Sequence, residues 1–218
     1  MTAPVRKVAL FDLDGTLSAS EPGIVSSLVA AMAAEGLPIP SAELLRTAIG
    51  PPFAIGLPAI GVPLDRLEAV TARYRDTYGV TGLFDTAVFD GVVEMLDALR
   101  TAGLVMAVAT SKPEHNALRI VEHLRLVDYF DAIAGADLET GRVDKAGVIA
   151  RALDLLGVDA GPSVVMVGDR HHDVDGAREH GIDSITVGWG YGTLDEHVAA
   201  APFAHAATPA DVVRTILG

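Results

Sequence analysis

Asp12-Leu13-Asp14-Gly15-Thr16 sets two carboxylates two residues apart, directly after the apolar run Val8–Phe11. Such carboxylates offer oxygen ligands to a hard cation such as Mg²⁺ and an anionic nucleophile, and the glycine beside them lets the backbone approach a ligand. An Asx turn closing a strand uses the same residues. A second acidic pair, Asp169 and Asp173, follows the apolar run Val164–Gly168. Four residues apart, these two share a face if a helix starts between them. Asp173 also suits a helix N-cap ahead of Val174 and Ala177. A third segment, Ala109-Thr110-Ser111-Lys112-Pro113, combines a hydroxyl, backbone N–H groups and a helix starting at Pro113, which fits an anion site or an ordinary cap. Lysine is scarce, occurring only at 7, 112 and 145. Lys145 opens a helical pattern running to Leu156, where the helix N-terminus already carries partial positive charge, so a cation there makes sense if an anion sits in front of it. His171 and His172 are adjacent, do not project together, and read as a solvated pair.

These residues need elements to bring them together, since Asp12 and Asp169 are 157 positions apart. Short β-branched apolar runs at 7–11, 104–109, 132–135, 163–167 and 184–187 read as strands. Between them Val92, Leu96 and Leu99, then Leu118, Val121 and Leu124, then Val148, Ala152 and Leu155 recur at helical spacing. The pattern is that of an α/β doubly wound parallel sheet, whose ligands bind beyond the carboxyl ends of the strands. Each acidic or hydroxyl-bearing segment above stands at such an end. One interval is too long: the second strand begins over 90 residues after the first, whereas a strand–helix–strand unit needs about 30. Residues 18–88 are therefore read as an inserted small helical cap, broken by Pro38, Pro40, Pro51, Pro52, Pro58 and Pro63, with a Leu67, Val70, Tyr74, Tyr78 stripe. The core is then 1–17 together with 89–218.

The chain has 218 residues, 50% of them hydrophobic, ample for a large core. Sixteen basic against 29 acidic side chains give a formal charge of −13, which supplies no positive field for nucleic acid or an anionic membrane. The absence of cysteine excludes disulfides, thiolate zinc sites and cysteine nucleophiles. The apolar run after Arg6 and Lys7 is shorter than a signal peptide requires, and none approaches a membrane span, so a cytoplasmic location is expected.

Taken together, Phe11-Asp12-Leu13-Asp14-Gly15-Thr16-Leu17, Thr110, Lys145 and Gly168-Asp169 with Asp173 resemble the four motifs of the haloacid dehalogenase superfamily, in order and over essentially the whole chain. The helical insert after the first motif resembles the cap of the phosphoglycolate phosphatase-like branch, as does Gly188-Trp189-Gly190-Tyr191-Gly192. The resemblance implies a phosphatase acting on a small-molecule phosphate ester. Asp12 would be the nucleophile that becomes aspartyl-phosphate, and Asp14 the general acid and base. Mg²⁺ would be held by Asp12, Asp169 and the Asp14 carbonyl, with Asp173 fixing those ligands. Thr110, the Ser111 N–H and Lys145 would bind the transferring oxygens, with Lys112 in reserve, and Gly15 and Thr16 would complete the substrate contacts. In the cap, Gly50, Pro51 and Pro52 read either as a rigid substrate-facing turn or as a simple helix-to-helix connection, while Arg46, Arg66, Arg73 and Arg75 read either as an anion contact or as a solvated face. Ala146 after the lysine and Ala19 after the first motif depart from the phosphoglycolate pattern. That keeps open a 5′-nucleotidase acting on nucleoside monophosphates and a sugar phosphomutase. Outside enzymes, a phosphorylation-driven signalling module also places acidic residues, a hydroxyl and a lysine at strand ends.

Overall fold

The computed structural model describes residues 5–137 and 139–218, which divide into two compact units, one of residues 1–18 with 88–218 and one of residues 19–87.

In the larger unit the described residues form one six-stranded parallel sheet in the order β3-β2-β1-β4-β5-β6. The strands are β1 (Val8–Phe11), β2 (Val105–Pro113), β3 (Ala132–Ala136), β4 (Val164–Gly168), β5 (Asp183–Val187) and β6 (Ala204–Ala206). Every residue of β1 and β4 is buried, as a sheet covered on both faces demands, which is why these strands read as unbroken apolar runs. Val8, Leu10, Ala107, Ala109, Val164 and Met166 pack with Val148, Ile149, Ala152 and Ala177, from the helices Lys145–Leu156 and His171–Glu179, in one core. The order turns back between β1 and β4. In doubly wound sheets that reversal opens a crevice at the carboxyl ends, and here Asp12 and Asp169 follow directly on its two strands.

Two elements depart from the sequence expectation. β2 does not stop at Ala109; it continues through Pro113 with a register irregularity between Ala109 and Pro113, so Thr110, Ser111 and Lys112 lie within the strand. The following helix starts at Glu114, and Pro113 takes the capping position. β6 was not expected, because Ala-His-Ala carries no β-branched residue and pairs on one side only.

The smaller unit contains helices α1 (Glu21–Ala34), α2 (Ala42–Arg46), α3 (Phe53–Ala59) and α4 (Leu67–Val80). Ile24, Leu28, Ala31 and Met32 of α1 and Val70, Tyr74 and Tyr78 of α4 are buried, while Leu67 is half-buried. α1 meets the backbone at Gly82 so closely that a Cβ on Gly23 would lie 1.9 Å from the Gly82 carbonyl oxygen. The arginines are mostly occupied here: Arg46 pairs with Glu21 at 2.7 Å, and Arg66 and Arg73 both pair with Glu35, at 2.7 and 3.3 Å. Of the candidate substrate-facing turn, Gly50 and Pro52 are exposed and Pro51 is half-buried. Its flanks are anchored, with Ile49 buried and the Phe53 ring edge-on to Tyr74 at 4.6 Å.

Candidate active site

We number the remaining helices of the larger unit α5 (Val92–Thr101), α6 (Glu114–His123), α7 (Lys145–Leu156), α8 (His171–Glu179), α9 (Leu194–Ala200) and α10 (Pro209–Leu217). Where β1 ends, the Asp12 N–H donates to the Val167 carbonyl at 2.9 Å and so fastens the carboxylate to the neighbouring strand. The chain then turns on the Leu13 carbonyl, which accepts from the N–H groups of Thr16, Leu17 and Ser18. Gly15 takes a positive φ of 84°, and a Cβ there would lie 2.2 Å from Asp169 Oδ2. The glycine is therefore required by the approach of Asp169, an internal reason, whereas the sequence suggested a ligand. Thr16, expected to touch substrate, is fully buried, its Oγ1 enclosed without a hydrogen-bond partner.

Lys145 is the hub. α7 begins with it, because Asp144 caps the helix by accepting the Gly147 N–H at 2.7 Å. The Lys145 ammonium donates to Asp12 Oδ1 at 2.8 Å and to the Ala109 carbonyl at 2.9 Å, and stands 2.7 Å from Asp173 Oδ1. Burial alone would lower its pKa; Asp12 and Asp173 outweigh that and raise it, so it is a permanent cation. Lys112 takes a separate partner: its ammonium lies 2.9 Å from Asp14 Oδ2, with both side chains largely buried. Sequence reasoning set Lys112 beside the transferring oxygens or in place of Lys145. The structure instead puts one lysine on each carboxylate of the first motif. Thr110 is buried and its Oγ1 accepts the Lys112 N–H at 3.3 Å, whereas Ser111 is half-buried.

Asp12, Asp169 and Asp173 each bring a carboxylate oxygen within 4.8 Å of the others, and all three are buried. The Asp14 carboxylate, engaged by Lys112, is not in this cluster. Asp173 is the third residue of α8 rather than its N-cap; Arg170 is the cap, and Asp173 Oδ2 accepts the Arg170 N–H at 3.0 Å. Gly168 makes room for it, since a Cβ there would lie 2.2 Å from the Asp173 carboxylate. Burial, then the charges of Asp12 and Asp173, push the Asp169 carboxyl well above its ordinary range; burial lifts Asp173 to about 6 against the opposing pull of Lys145. With all three carboxylates ionised, the one lysine facing them would leave two negative charges unmatched, and Asp169 Oδ1 has no hydrogen-bond partner. A divalent cation with oxygen ligands fits that donor set and that charge.

The sequence marks the segment Gly188-Trp189-Gly190-Tyr191-Gly192 only by its resemblance to the branch and assigns it no role in the site. The Tyr191 N–H donates to Asp169 Oδ2 at 2.7 Å, and the Trp189 indole N–H to the Thr16 carbonyl at 3.0 Å. Gly190 packs so tightly that a Cβ would lie 2.3 Å from the Gly15 carbonyl oxygen. The alternation Gly188, Gly190, Gly192 was the available clue. The histidines are not a solvated pair. His171 Nδ1 lies 2.7 Å from Glu196, and the pKa of His172, its Nε2 enclosed, is lowered to about 4, first by burial and then by its neighbours His171 and Arg170.

Residues 9–187 match the family model described as haloacid dehalogenase-like hydrolase. The chain belongs to that family. Among its relatives, the tyrosine-protein kinase PtkA of Mycobacterium tuberculosis is 44% identical over 214 residues, covering 97% of this chain and 72% of that protein. A 5′-nucleotidase of Pseudomonas aeruginosa is 39% identical, covering 88% of this chain and 87% of the relative. A phosphoglycolate phosphatase of Caulobacter vibrioides is 34% identical, covering 83% and 78%. The solved structure of the haloacid dehalogenase-like protein SP0104 from Streptococcus pneumoniae superposes with a TM-score of 0.91 at 28% identity, covering 96% of this chain and 98% of that one. This member of the family is a phosphatase of the phosphoglycolate phosphatase-like branch. No helix among the described residues is long and apolar enough to cross a membrane.

Proposed function

We propose that this haloacid dehalogenase-like phosphatase hydrolyses a small phosphate monoester in two steps, through an aspartyl-phosphate on Asp12. The observation that carries the reading is the pairing of each first-motif aspartate with its own buried lysine, beside a cluster of three buried carboxylates. Mg²⁺ held by Asp12, Asp169 and the Asp14 main-chain carbonyl, with Asp173 fixing those ligands, would supply charge neutralisation, lowering the repulsion between a carboxylate and a phosphate dianion. Lys145 holds Asp12 in place and offers a positive charge to the transferring oxygens. An Asp12 carboxylate oxygen forms a bond to phosphorus as the phosphorus–alkoxide bond breaks, and the departing oxygen takes a proton from Asp14 acting as the general acid. Asp14 then takes a proton from water as that water attacks phosphorus, releasing inorganic phosphate and restoring Asp12. Lys112 keeps the Asp14 carboxylate in one orientation for both transfers.

A nucleoside monophosphate is the second substrate reading, favoured by Ala146 where the phosphoglycolate pattern has proline and by the 39% identity to a 5′-nucleotidase. The relative named as a tyrosine kinase is consistent with the same Asp12 chemistry if a tyrosine hydroxyl replaces water as acceptor. Turnover of p-nitrophenyl phosphate with Mg²⁺, its loss with EDTA and its loss in Asp12→Asn test the chemistry. Undiminished turnover in Asp12→Asn overturns it. kcat/KM for phosphoglycolate, nucleoside monophosphates and sugar phosphates ranks the substrates, and a phosphotyrosine assay with ATP tests the other acceptor.

A further inference from the structure

We propose that α9 is the element that sets Asp169 for its cation, and that His197 is the positioning residue through which it acts; the inference rests on the metal-dependent reading above. His197 is almost wholly buried, at 2% exposure, and its Nε2 lies 2.6 Å from the Asp169 main-chain carbonyl oxygen. A carbonyl only accepts, so this nitrogen carries the hydrogen. The residue before it, Glu196, accepts from Arg170 Nε at 2.9 and 3.2 Å and from the His171 N–H at 2.8 Å. Two successive residues of α9 therefore grip three successive residues that start with the proposed ligand. Burial disfavours charge on Glu196, but His171 and Arg170 outweigh it and hold the carboxyl down to about 2, so this half of the grip is ionised.

The packing leaves little latitude. A Cβ on Gly192 would lie 1.9 Å from the Asp169 carbonyl oxygen and 2.5 Å from His197 Nε2, so the chain entering α9 is pressed against the same peptide unit. Thr193 then starts the helix by accepting the Glu196 N–H at 3.1 Å. With its carbonyl held by His197 and Oδ2 by the Tyr191 N–H, Asp169 is fixed at both ends, and Oδ1 is the oxygen left without a partner. Groups that orient a metal ligand change its affinity by about 10–100-fold when removed. A residue that only filled space would show no dependence on its N–H.

The test is calorimetric titration of Mg²⁺ into the full chain, as wild type, His197→Phe and His197→Gln, with thermal unfolding recorded for each. Phe removes the donor, whereas the Gln amide reaches the position of Nε2. The expected result is an Mg²⁺ Kd raised about tenfold or more in His197→Phe and largely restored in His197→Gln. Should His197→Phe fail to fold, His197→Asn, whose shorter amide stops short of the carbonyl, is compared with His197→Gln in the same titration. Wild-type affinity in a folded donor-less variant, or equal weakening in the Gln variant, overturns the role of His197 while the phosphatase reading stands. A wild type that binds no Mg²⁺ overturns the metal-dependent reading, and this inference with it.

Discussion

Replacing Lys145 by Met removes one charge and little volume from the centre of the site. The ammonium sits 2.8 Å from Asp12 and 2.7 Å from Asp173, with its side chain 5% exposed. At those distances each attraction is about 6 kcal/mol for an effective dielectric of about 20, most of it offset by the cost of burying the charges. Breaking a buried pair by deleting one partner costs about 3–5 kcal/mol, because the other charge stays buried and unmatched. For a chain of this size that is a fall in Tm of about 6–20 °C in metal-free protein. Turnover of p-nitrophenyl phosphate should fall by about 10²–10³-fold, the usual loss for one preorganised electrostatic partner of a transition state. The two losses should then separate. With three carboxylates and no lysine, the pocket attracts a divalent cation more strongly, so saturating Mg²⁺ should raise the Tm of the variant at least as much as that of wild type while turnover stays lost. Differential scanning fluorimetry with and without Mg²⁺, beside initial rates, reads both. Wild-type turnover within threefold, or an unchanged metal-free Tm, would refute the assignment of Lys145 as the cation that organises Asp12 and Asp173.

Lys112→Met should act on the proton and not on the nucleophile: kcat/KM should fall by about 10²-fold for alkyl phosphates and much less for p-nitrophenyl phosphate, whose leaving group needs no proton. Equal losses for both would remove Lys112 from the control of Asp14. The pH dependence of Mg²⁺ stabilisation has a definite sign. Asp169 and Asp173 are raised in the metal-free fold, Asp173 to about 6, so the native state holds protons that an unfolded chain releases near pH 4. That contribution to stability is present at low pH and lost as pH rises from about 4 through 6. Mg²⁺ must displace those protons, so its Tm increment should grow between pH 5 and pH 7.5; an increment that shrinks over that range contradicts the assignment.

The sheet and the carboxylates were legible in the sequence because each leaves a chemical trace. Strands covered on both faces are apolar throughout in β1 and β4, which therefore stand out, and an aspartate directly after such a run is conspicuous. β6 leaves no such trace, since three residues at a sheet edge can be Ala-His-Ala. The extension of β2 was hidden by its composition, because Ser111, Lys112 and Pro113 read as a turn until pairing with β3 and the irregularity after Ala109 are seen. The supports of Asp169 were the least visible. One is a main-chain N–H, that of Tyr191, which belongs to any residue type. The other comes from α9, where Leu194 and Val198 face solvent and His197 faces inward, the reverse of the pattern that marks a buried face.

The electrostatics explain how a chain with a net charge of −13 can serve an anionic substrate. Surface carboxylates act through water and salt, over a screening length of about 8 Å, and contribute little inside a closed pocket. Within it the balance is local. With all four carboxylates ionised, Asp14 and Lys112 cancel, while Asp12, Asp169 and Asp173 against Lys145 leave two negative charges, which the proposed divalent cation would bring to neutrality. A phosphate dianion would then meet a neutral pocket holding two ammonium groups. The choice of lysine follows from the same reasoning. Only three of the 16 basic residues are lysines, yet two of them are buried here. An arginine fork matches a carboxylate in a fixed planar geometry. An ammonium is a point charge on a flexible stem, able to hold Asp12 in the resting site and to turn toward a phosphoryl oxygen during transfer.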